Sequence, residues 1–447
     1  MENRTLTLAL ASAGLLVAGA AWADADINFS GFGTLAATHS NNRLADFSGS
    51  ILQPNGAGRS SPWMFGVDTK AGVQASAKIG KDLSATLQVV SDHRGDNTYA
   101  PRFEWANLKY QVTQNTYVRA GRVVAPVFMV SDYRNVGYSQ TPVRMPFDVY
   151  GLNPITHIDG GEFGTRFELA GGTLSLQLSG GRQKESKPMP VPGASAIIQP
   201  KGSAKSGNLS YEYGSSNFRL GVTKSRVDAQ SEYLDQVDSM FAPLAALGGA
   251  SVGALLGHPE NTIASRGNIE VTLFDIGYAY DSGNWLAQTE YVASKSSSNM
   301  FVSLDSWYVL AGYRLGKFTP YASYSDVRSR VSSGVTSQPR AVVPAGLPPA
   351  FASPLQSAAW GINSTDASLS MAQQQHTISL GVRYDFYKNL ALKAQYDQIR
   401  KPGSPAAPNK GLFTIPAALV GGTSLYPEFA TTDNTVNLVT VALDFVF

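Results

Sequence analysis

Histidine is the residue type that most often supplies a general base or a metal ligand near neutral pH. The chain has five histidines and no Cys, and none of the five belongs to an HExxH motif or another paired metal-ligand spacing. They are His39, His93, His157, His258 and His376. The sequence therefore predicts no metal site, and the lack of Cys excludes disulfides and thiolate ligands.

A nucleophilic enzyme would need Ser, His and an orienting Asn or Asp brought together. His157 and Asp159 are close in sequence, but no activated Ser accompanies them. The sequence also contains no GxSxG elbow, no P-loop and no dinucleotide-binding fingerprint. We therefore predict that the chain is not an enzyme and holds no cofactor.

The N-terminus has the layout of a secretory signal peptide. Arg4 precedes an apolar stretch from Leu6 to Ala20, and the small residues Ala21 and Ala23 flank Trp22. We expect residues 1–23 to be removed and residues 24–447 to form one domain. No later apolar run is long enough for a membrane helix, so an exported chain that enters a membrane must do so as a closed barrel.

The composition agrees with an exported β-protein. The chain has 43 Gly, 20 Tyr and 20 Phe but only 15% charged residues, which is typical of strands joined by many turns. Its formal net charge of +2 gives no reason to expect nucleic acid as a partner.

Alternation of apolar and polar residues with a period of two marks the strands. In residues 376–386, Ile378 and Leu380 share one face, while Thr377 and Arg383 share the other. A charge on an inner face is costly in a sandwich core, whereas a wide barrel holds water there. About sixteen such segments predict an all-β, antiparallel transmembrane barrel: 27–38, 65–79, 82–93, 102–112, 115–123, 161–170, 173–182, 206–213, 217–227, 269–280, 284–296, 302–314, 317–330, 373–386, 389–400 and 434–447.

Short turns and long loops alternate between these segments. Most short turns contain Gly, Asn or Asp, as IGKD does at 79–82 and DSG does at 281–283. Every second connection lies at the same end of a barrel, so one rim is tight and the other is elaborate. Outer-membrane barrels have this asymmetry, with short periplasmic turns and long external loops. The long loops fall at about 39–64, 94–101, 124–160, 183–205, 228–268, 331–372 and 401–433.

The last segment reads TVNLVTVALDFVF, which places Val439, Val441 and Phe447 on one face and Thr440 and Asp444 on the other. A terminal Phe that closes an amphipathic strand resembles the targeting end of Gram-negative outer-membrane proteins. That resemblance implies recognition of Phe447 by the barrel assembly machinery.

The opening strand INFSGFGTLAA, the set of about sixteen strands and the terminal Phe together resemble the general porin superfamily of Gram-negative bacteria. The resemblance is closest to the proteobacterial trimeric porins and covers nearly the whole mature chain. It implies a homotrimer in the cell outer membrane, in contact with membrane lipid and lipopolysaccharide. It also implies a water-filled channel for passive diffusion of small polar solutes and ions.

Residues 124–160 form the third long loop and follow the fifth strand. In such porins the third loop folds into the barrel and narrows the channel, and the many apolar residues of this loop need a packing surface that the barrel interior offers. The candidate charges of the constriction are Asp132, Arg134, Arg144, Asp148, Asp159 and Glu162. The candidate charges of the pore wall are Arg102, Arg119, Arg122, Arg166, Arg219 and Lys393.

The polarity of this constriction stays open at the level of sequence. The familiar arrangement sets acidic loop residues against a basic wall, whereas this loop carries Arg134 and Arg144 beside its acids. Arg119 and Arg122 have opposite parity in one strand, so at most one of them points into the channel. If basic wall groups dominate, the pore favours anions.

Three other functions also remain open from the sequence. They are a substrate-selective channel with a saturable site, an outer-membrane barrel enzyme, and a secreted β-rich adhesin or lectin. Tyr308 and Tyr321 share the polar face of their strands and could contribute to an aromatic slide for sugars in a selective channel, although several more rings would have to line up with them.

Overall fold

The chain folds into one closed barrel of sixteen antiparallel strands. The computed structural model describes residues 26–153, 155–184, 187–191, 194–230, 268–297, 303–330, 372–404, 409–415 and 428–447. The barrel strands are β1 (Asp26–Ser40), β2 (Lys70–Ile79), β3 (Leu83–Asp92), β4 (Arg102–Gln111), β5 (Thr116–Val124), β6 (His157–Leu169), β7 (Gly172–Lys184), β8 (Ala194–Tyr213), β9 (Ser216–Gln230), β10 (Ile269–Ser282), β11 (Trp285–Ser296), β12 (Leu304–Tyr313), β13 (Phe318–Ser329), β14 (Gln374–Tyr387), β15 (Leu390–Lys401) and β16 (Asn434–Val446).

Closure of the barrel depends on the first and last strands. β1 pairs with β16 over nine positions, from Phe32↔Val446 to Ser40↔Leu438, and with β2 on its other side. The terminal Phe447 continues this seam, because its backbone N–H donates to the Gly31 carbonyl at 3.0 Å and its carbonyl accepts from the Gly31 N–H at 2.9 Å. Closure leaves the ring of strands without an edge.

Short elements lie at the rim that carries the long loops. Trp63–Met64 and Lys187–Val191 extend the sheet, and Asp46–Phe47 pairs with Ala57–Gly58. Among the described residues, the α-helices are single turns, Phe147–Tyr150 (α1) and Glu428–Thr431 (α2). Across the described ranges, no helix has the length and apolar character needed to cross a membrane.

The predicted all-β barrel is confirmed, and each of the sixteen predicted segments overlaps one strand. Three boundaries differ by four residues or more, and one of them is the start of β2, at Lys70 rather than at residue 65. β8 begins at Ala194 rather than near residue 206. Pro200 and Gly202 interrupt the apolar–polar alternation from which the strand was predicted, but the backbone pairing with β9 continues to Gln199↔Gln230. β6 begins at His157, so Asp159 belongs to a strand and not to the third loop.

Several predicted segments lie outside the described residues. They are the signal peptide at 1–23, most of the long loops at 228–268 and 331–372, and residues 405–408 and 416–427 of the loop at 401–433.

The two faces of the sheet differ in polarity as the alternation predicts. On β16, Val439 and Val441 are each 44% exposed on the outer face, while Thr440 and Asp444 on the inner face are fully buried. The same contrast separates exposed Leu380 from buried Ser379 on β14. The outer face is therefore apolar, and the inner face is polar and partly covered.

The third long loop supplies much of that cover. Residues 125–153 pass inside the barrel and contain two 3₁₀ turns, Ser131–Tyr133 and Gly137–Ser139, followed by α1. Phe128 and Tyr150 of this loop pack on each other with ring centroids 5.1 Å apart. They belong to a buried cluster with wall residues such as Leu286 and Tyr308.

A second apolar cluster joins three loops inside the mouth of the barrel. The Phe47 ring of the first long loop lies 5.0 Å from that of Phe147 in the third and 6.2 Å from that of Phe413 in the last. Inward-facing wall residues such as Val436 and Leu438 complete the cluster. The mouth beside β15 and β16 is therefore filled with packed side chains.

Hairpin turns at the other rim are tight. Between β6 and β7 only Ala170 and Gly171 are unpaired, with φ of 50° and 81°. Both residues occupy the left-handed region that a two-residue turn of this type requires. An L-residue such as Ala170 is strained there.

We predict that Ala170→Gly raises the free energy of unfolding by about 1 kcal/mol, because Gly adopts positive φ without the Cβ clash. The measurement is urea unfolding of the protein refolded into lipid vesicles. Gly214→Ala is the matched control, since Gly214 has φ of 56° and an added Cβ there meets no atom within 4 Å. It should lower stability by a similar amount, and no change in either variant would contradict the account of turn strain.

Candidate functional site

The third loop is held inside the barrel by buried polar contacts to the walls. The first contact involves Arg219 on β9, which pairs with Asp275 at 3.1 Å and donates to the Pro126 carbonyl at 2.6 Å. Arg219 and Asp275 are both buried. This cation therefore anchors the start of the loop and does not present an unpaired charge to the channel.

Glu290 on β11 provides a second anchor. One carboxylate oxygen accepts the Met129 backbone N–H at 3.1 Å, and the other accepts the Tyr150 hydroxyl at 2.6 Å. Met129 and Tyr150 lie at opposite ends of the loop, so Glu290 holds both of its arms.

Asp148 of α1 contacts the part of the wall formed by β12, β13 and β14. Its carboxylate accepts hydrogen bonds from Ser325 and Gln375, each at 2.6 Å, and its backbone carbonyl accepts from Ser306 at 2.6 Å. Burial raises the pKa of Asp148 to about 6, and the Ser325 and Gln375 hydrogen bonds oppose part of that rise.

Arg144 lies between the carboxylates of Asp68, in the loop before β2, and Asp397, on β15. Its guanidinium contacts Asp68 at 2.6 Å and Asp397 at 2.7 Å, and it donates to the Thr440 hydroxyl at 2.7 Å. Burial opposes its charge, but the two carboxylates more than compensate, so the pKa of Arg144 is raised. Arg144 therefore ties the loop to β15 and β16.

Lys393 on β15 completes this set. Its ammonium group contacts Asp444 at 2.7 Å and donates to the carbonyls of Gly137, Gln140 and Pro142 at 2.8, 2.7 and 3.0 Å. Lys393 and Asp444 are both fully buried. This predicted wall cation thus fixes the middle of the loop.

Arg134 and Arg102 lie near the mouth on the opposite side. Arg134 donates to the carbonyls of Asn153 and Tyr150 at 3.2 and 3.4 Å, and burial lowers its pKa. Arg102 pairs with Asp92 and with Glu104. Arg134 therefore joins the two arms of the third loop, and Arg102 links β4 to β3.

One part of the loop surface stays open to the interior. Asp132 and Tyr133 are exposed there, and the charges in electrostatic range of Asp132 are those of Glu162, Arg219 and Arg119. Enclosure by the barrel raises the pKa of Asp132, and the neighbouring Glu162 adds to the rise.

The wall opposite is built by β4, β5 and β6. Glu162 accepts a hydrogen bond from Tyr117 at 2.6 Å and contacts Arg119 at 3.3 Å. The Lys109 ammonium group lies 4.4 Å from the centroid of the Tyr117 ring. Arg166 is exposed on the same face, four residues along β6 from Glu162.

Arg122 and Asp159 occupy the outer face. They form a bidentate ion pair at 2.6 and 2.8 Å, on the side of the sheet that carries exposed Val118 and Phe163. The assignment of Arg122 to the pore wall and of Asp159 to the constriction is therefore corrected, because parity directs both side chains outward.

The sequence reasoning missed the acidic wall residues that hold the loop, either directly or by pairing with its cations. Glu290, Asp397 and Asp444 each lie among the polar inner-face residues of an alternating strand, which is the signal that could have identified them. Tyr308 and Tyr321 are 0% and 5% exposed and lie beneath the loop, so they do not form an aromatic row along an open channel. Across the described residues, no cluster of His, Asp or Glu could hold a metal ion.

Comparisons with known proteins agree with this architecture. A family model described as Gram-negative porin matches residues 7–404. No curated protein sequence matches the chain.

Similar solved structures include OmpF of Salmonella typhi in complex with daunomycin, with a TM-score of 0.50 and 13% identity, covering 94% of this chain and 97% of that one. An anion-selective porin from Comamonas acidovorans has a TM-score of 0.48 and 12% identity, covering 95% and 100%. A trimer form of Vibrio cholerae OmpT has a TM-score of 0.46 and 14% identity, covering 95% and 99%. At such identities the OmpF match shows a shared fold alone.

The buried carboxyl of Asp148 generates a pH prediction. Its folded-state pKa of about 6 exceeds the usual 3.8, so the folded protein binds this proton more tightly than the unfolded chain. The contribution of Asp148 to the free energy of unfolding therefore falls as pH rises from about 4 to about 6. Asp148→Asn should remove that fall, which amounts to at most about 3 kcal/mol.

The measurement is urea unfolding of the wild type and the variant across this pH range. Asp96→Asn is the control, because the Thr98 hydrogen bond lowers the pKa of exposed Asp96. Removing this carboxyl should make the free energy of unfolding fall slightly more steeply as pH rises, which is opposite to the effect of Asp148→Asn. Parallel curves for wild type and Asp148→Asn would show that the carboxyl does not titrate as described.

Proposed function

Because the chain belongs to the Gram-negative porin family, we propose that the gap between residues 131–133 and the inner wall of β4–β6 is the constriction of its channel. As a porin, the protein forms a diffusion channel in the outer membrane and is not an enzyme. The observation that carries the proposal is the exposure of Asp132 and Tyr133 on the loop, opposite a wall on which Arg166 is exposed and Lys109 and Arg119 are partly exposed. Other parts of the loop contact β9 and β11–β16 through the buried polar side chains described above.

The charges on the two sides of this gap support a transverse electric field. Lys109 and Arg166 on the wall and Asp132 on the loop form no ion pair with other described residues. Arg119 shares its charge with Glu162. Such a field orients dipolar solutes and ions in the gap and disfavours apolar ones, because aligned water must be displaced.

The same charges argue for weak ion selectivity. Lys109, Arg119 and Arg166 on the wall are offset by Glu162 beside them and by Asp132 across the gap, and Glu168 lies two residues beyond Arg166. No sign of charge dominates strongly. The polarity is the familiar one, with an acid on the loop and bases on the wall, although most of the basic residues proposed from sequence serve as anchors.

A general pore for small polar solutes fits better than a saturable channel. The two tyrosines that could have begun an aromatic slide, Tyr308 and Tyr321, are covered by the third loop. A selective channel remains the second candidate, and it differs by showing conductance that one class of solute blocks saturably.

We predict opposite shifts of ion selectivity from the two sides of the constriction. Asp132→Asn should raise the anion-to-cation permeability ratio, and the double variant Lys109→Gln with Arg166→Gln should lower it, by about twofold for each charge removed. The measurement is the reversal potential of single channels in a salt gradient. Arg122→Gln removes a charge from the outer face and should leave the ratio unchanged. A ratio unaffected by either inner-face change, or moved by the control, would contradict the assigned path.

We also propose that three copies assemble through the strands near both chain ends. Family membership suggests a trimer, and the outer faces of β1, β2 and β16 carry exposed apolar residues for such a contact, among them Leu35, Val73 and Val441. Lipid covers this face if the protein is a monomer.

Val73→Arg is predicted to convert the trimer into monomers, because it buries a charge at the contact. Native mass spectrometry of the detergent-solubilised protein measures the change, and conductance steps of the wild type should occur in groups of three. Leu220→Arg is a matched control, since Leu220 is similarly exposed on the outer face of β9, at 47% against 56% for Val73. A monomeric wild type, or equal loss of trimer in both variants, would contradict the proposal.

A further inference from the structure

Tyr117 lies between the charged side chains of the wall that faces the proposed gap, although it carries no charge itself. Strand register places it on β5 directly opposite Gly164 of β6. Its ring lies over this glycine, since a Cβ at position 164 would come within 2.3 Å of Tyr117 Cε1 and Cζ. A larger residue there would displace the ring, so Gly164 fixes where the ring lies.

The Tyr117 hydroxyl holds an acidic side chain of the wall. It donates to one carboxylate oxygen of Glu162 at 2.6 Å, and Arg119 contacts the other oxygen at 3.3 Å. The Glu162 side chain is 0% exposed, whereas that of Arg119 is 25% exposed. A solute in the gap therefore meets the cation of this pair more directly than the acid.

The Tyr117 ring contacts two cations. The Lys109 ammonium group lies 4.4 Å from the ring centroid, and the guanidinium carbon of Arg119 lies 5.4 Å from it. Lys109 is directly opposite Arg119 in the sheet, where like charges repel. The negative face of the ring attracts both cations, so it offsets part of this repulsion while both side chains stay partly exposed.

The acid of the third loop lies near this arrangement. Asp132 is exposed and is within electrostatic range of Tyr117. Arg166, two residues beyond Gly164 on β6, is also exposed. The side chains around Tyr117 therefore include three cations that a solute can reach and one acid, Glu162, that is covered.

We propose that Tyr117 is a positioning residue that sets the ion selectivity of the channel. Its hydroxyl keeps the Glu162 carboxylate covered, and its ring keeps Lys109 and Arg119 side by side at the gap. The wall thus presents basic charge to solute while its acid stays behind the ring. This inference rests on the proposed constriction, because Tyr117 can affect selectivity only if ions pass along this wall.

The first test is Tyr117→Phe in the full-length protein refolded into a planar bilayer, with the reversal potential in a potassium chloride gradient as the measurement. Phe keeps the ring but leaves one oxygen of a buried carboxylate without its donor, which is costly. Glu162 should turn towards water, and the anion-to-cation permeability ratio should fall by about twofold. Tyr291→Phe is the matched control, since the Tyr291 hydroxyl donates to Asp305 at 2.8 Å on the outer face, and it should leave the ratio unchanged.

A double-variant cycle shows whether the Tyr117 hydroxyl acts through Glu162. Glu162→Gln removes the charge but keeps an oxygen that can accept from Tyr117. Adding Tyr117→Phe to Glu162→Gln should therefore lower the permeability ratio no further. An equal fall with and without the Glu162 carboxylate would overturn the proposal, because the hydroxyl would then act through another group.

Gly164→Ala tests the position of the ring without changing Tyr117. The added Cβ displaces the ring from β6, so the permeability ratio should fall at least as far as in Tyr117→Phe. Gly33→Ala is its control, because a Cβ there would also come within 2.3 Å of a ring atom, Phe445 Cζ, but on the outer face. It should leave the ratio unchanged, and single-channel conductance of each variant verifies that the barrel has closed.

Asp132→Asn distinguishes the two ways in which the proposal can fail. If that variant shifts the permeability ratio while Tyr117→Phe and Gly164→Ala do not, the constriction lies where we place it and the role of Tyr117 is overturned. If none of the three variants shifts the ratio, ions take another path, and the proposed constriction is overturned together with the role of Tyr117.

Discussion

Backbone hydrogen bonding in an environment without water is the constraint on which the rest of the structure depends. Each strand must pair on both sides, and the pairing of β1 with β16 satisfies the last edge. Closing sixteen strands creates an interior too wide to be filled by wall side chains alone. The alternation of faces and the folding of loops into the interior both follow from that closure.

The filled part of the interior is organised by charges whose partners are on other elements. Arg144 joins Asp68 to Asp397, and Lys393 joins Asp444 to three loop carbonyls. Such buried pairs often add little net stability compared with apolar packing, but losing one partner leaves an unpaired charge and costs about 3–5 kcal/mol. They therefore determine where the loop lies, and so they define the width of the open gap beside Asp132.

The fold was largely predictable from the sequence, because lipid on one side and water on the other impose a period of two on every strand. Parity also separated Arg119 from Arg122 and placed Arg166 on the inner face. For the other candidate charges, the sequence did not show whether each one faces the channel or is paired with another side chain. Whether Arg219 faces solute or a carboxylate depends on Asp275 on the next strand, and the partners of Arg144 are up to 296 residues away. These pairings depend on the register of every intervening strand and on the path of the loop.

The seam between β1 and β16 also bears on how the protein is made. Thr34 donates a hydrogen bond to Asp444 across 410 residues of chain, so the ring cannot close until the last strand has been synthesised and exported. Bringing such distant segments together has a large entropic cost and slows folding. Lys393 and Asp444 hold the third loop from strands next to this seam. The loop can therefore reach its final position only in the last stage of folding, and a chain truncated before β16 would lack both a closed wall and a positioned loop.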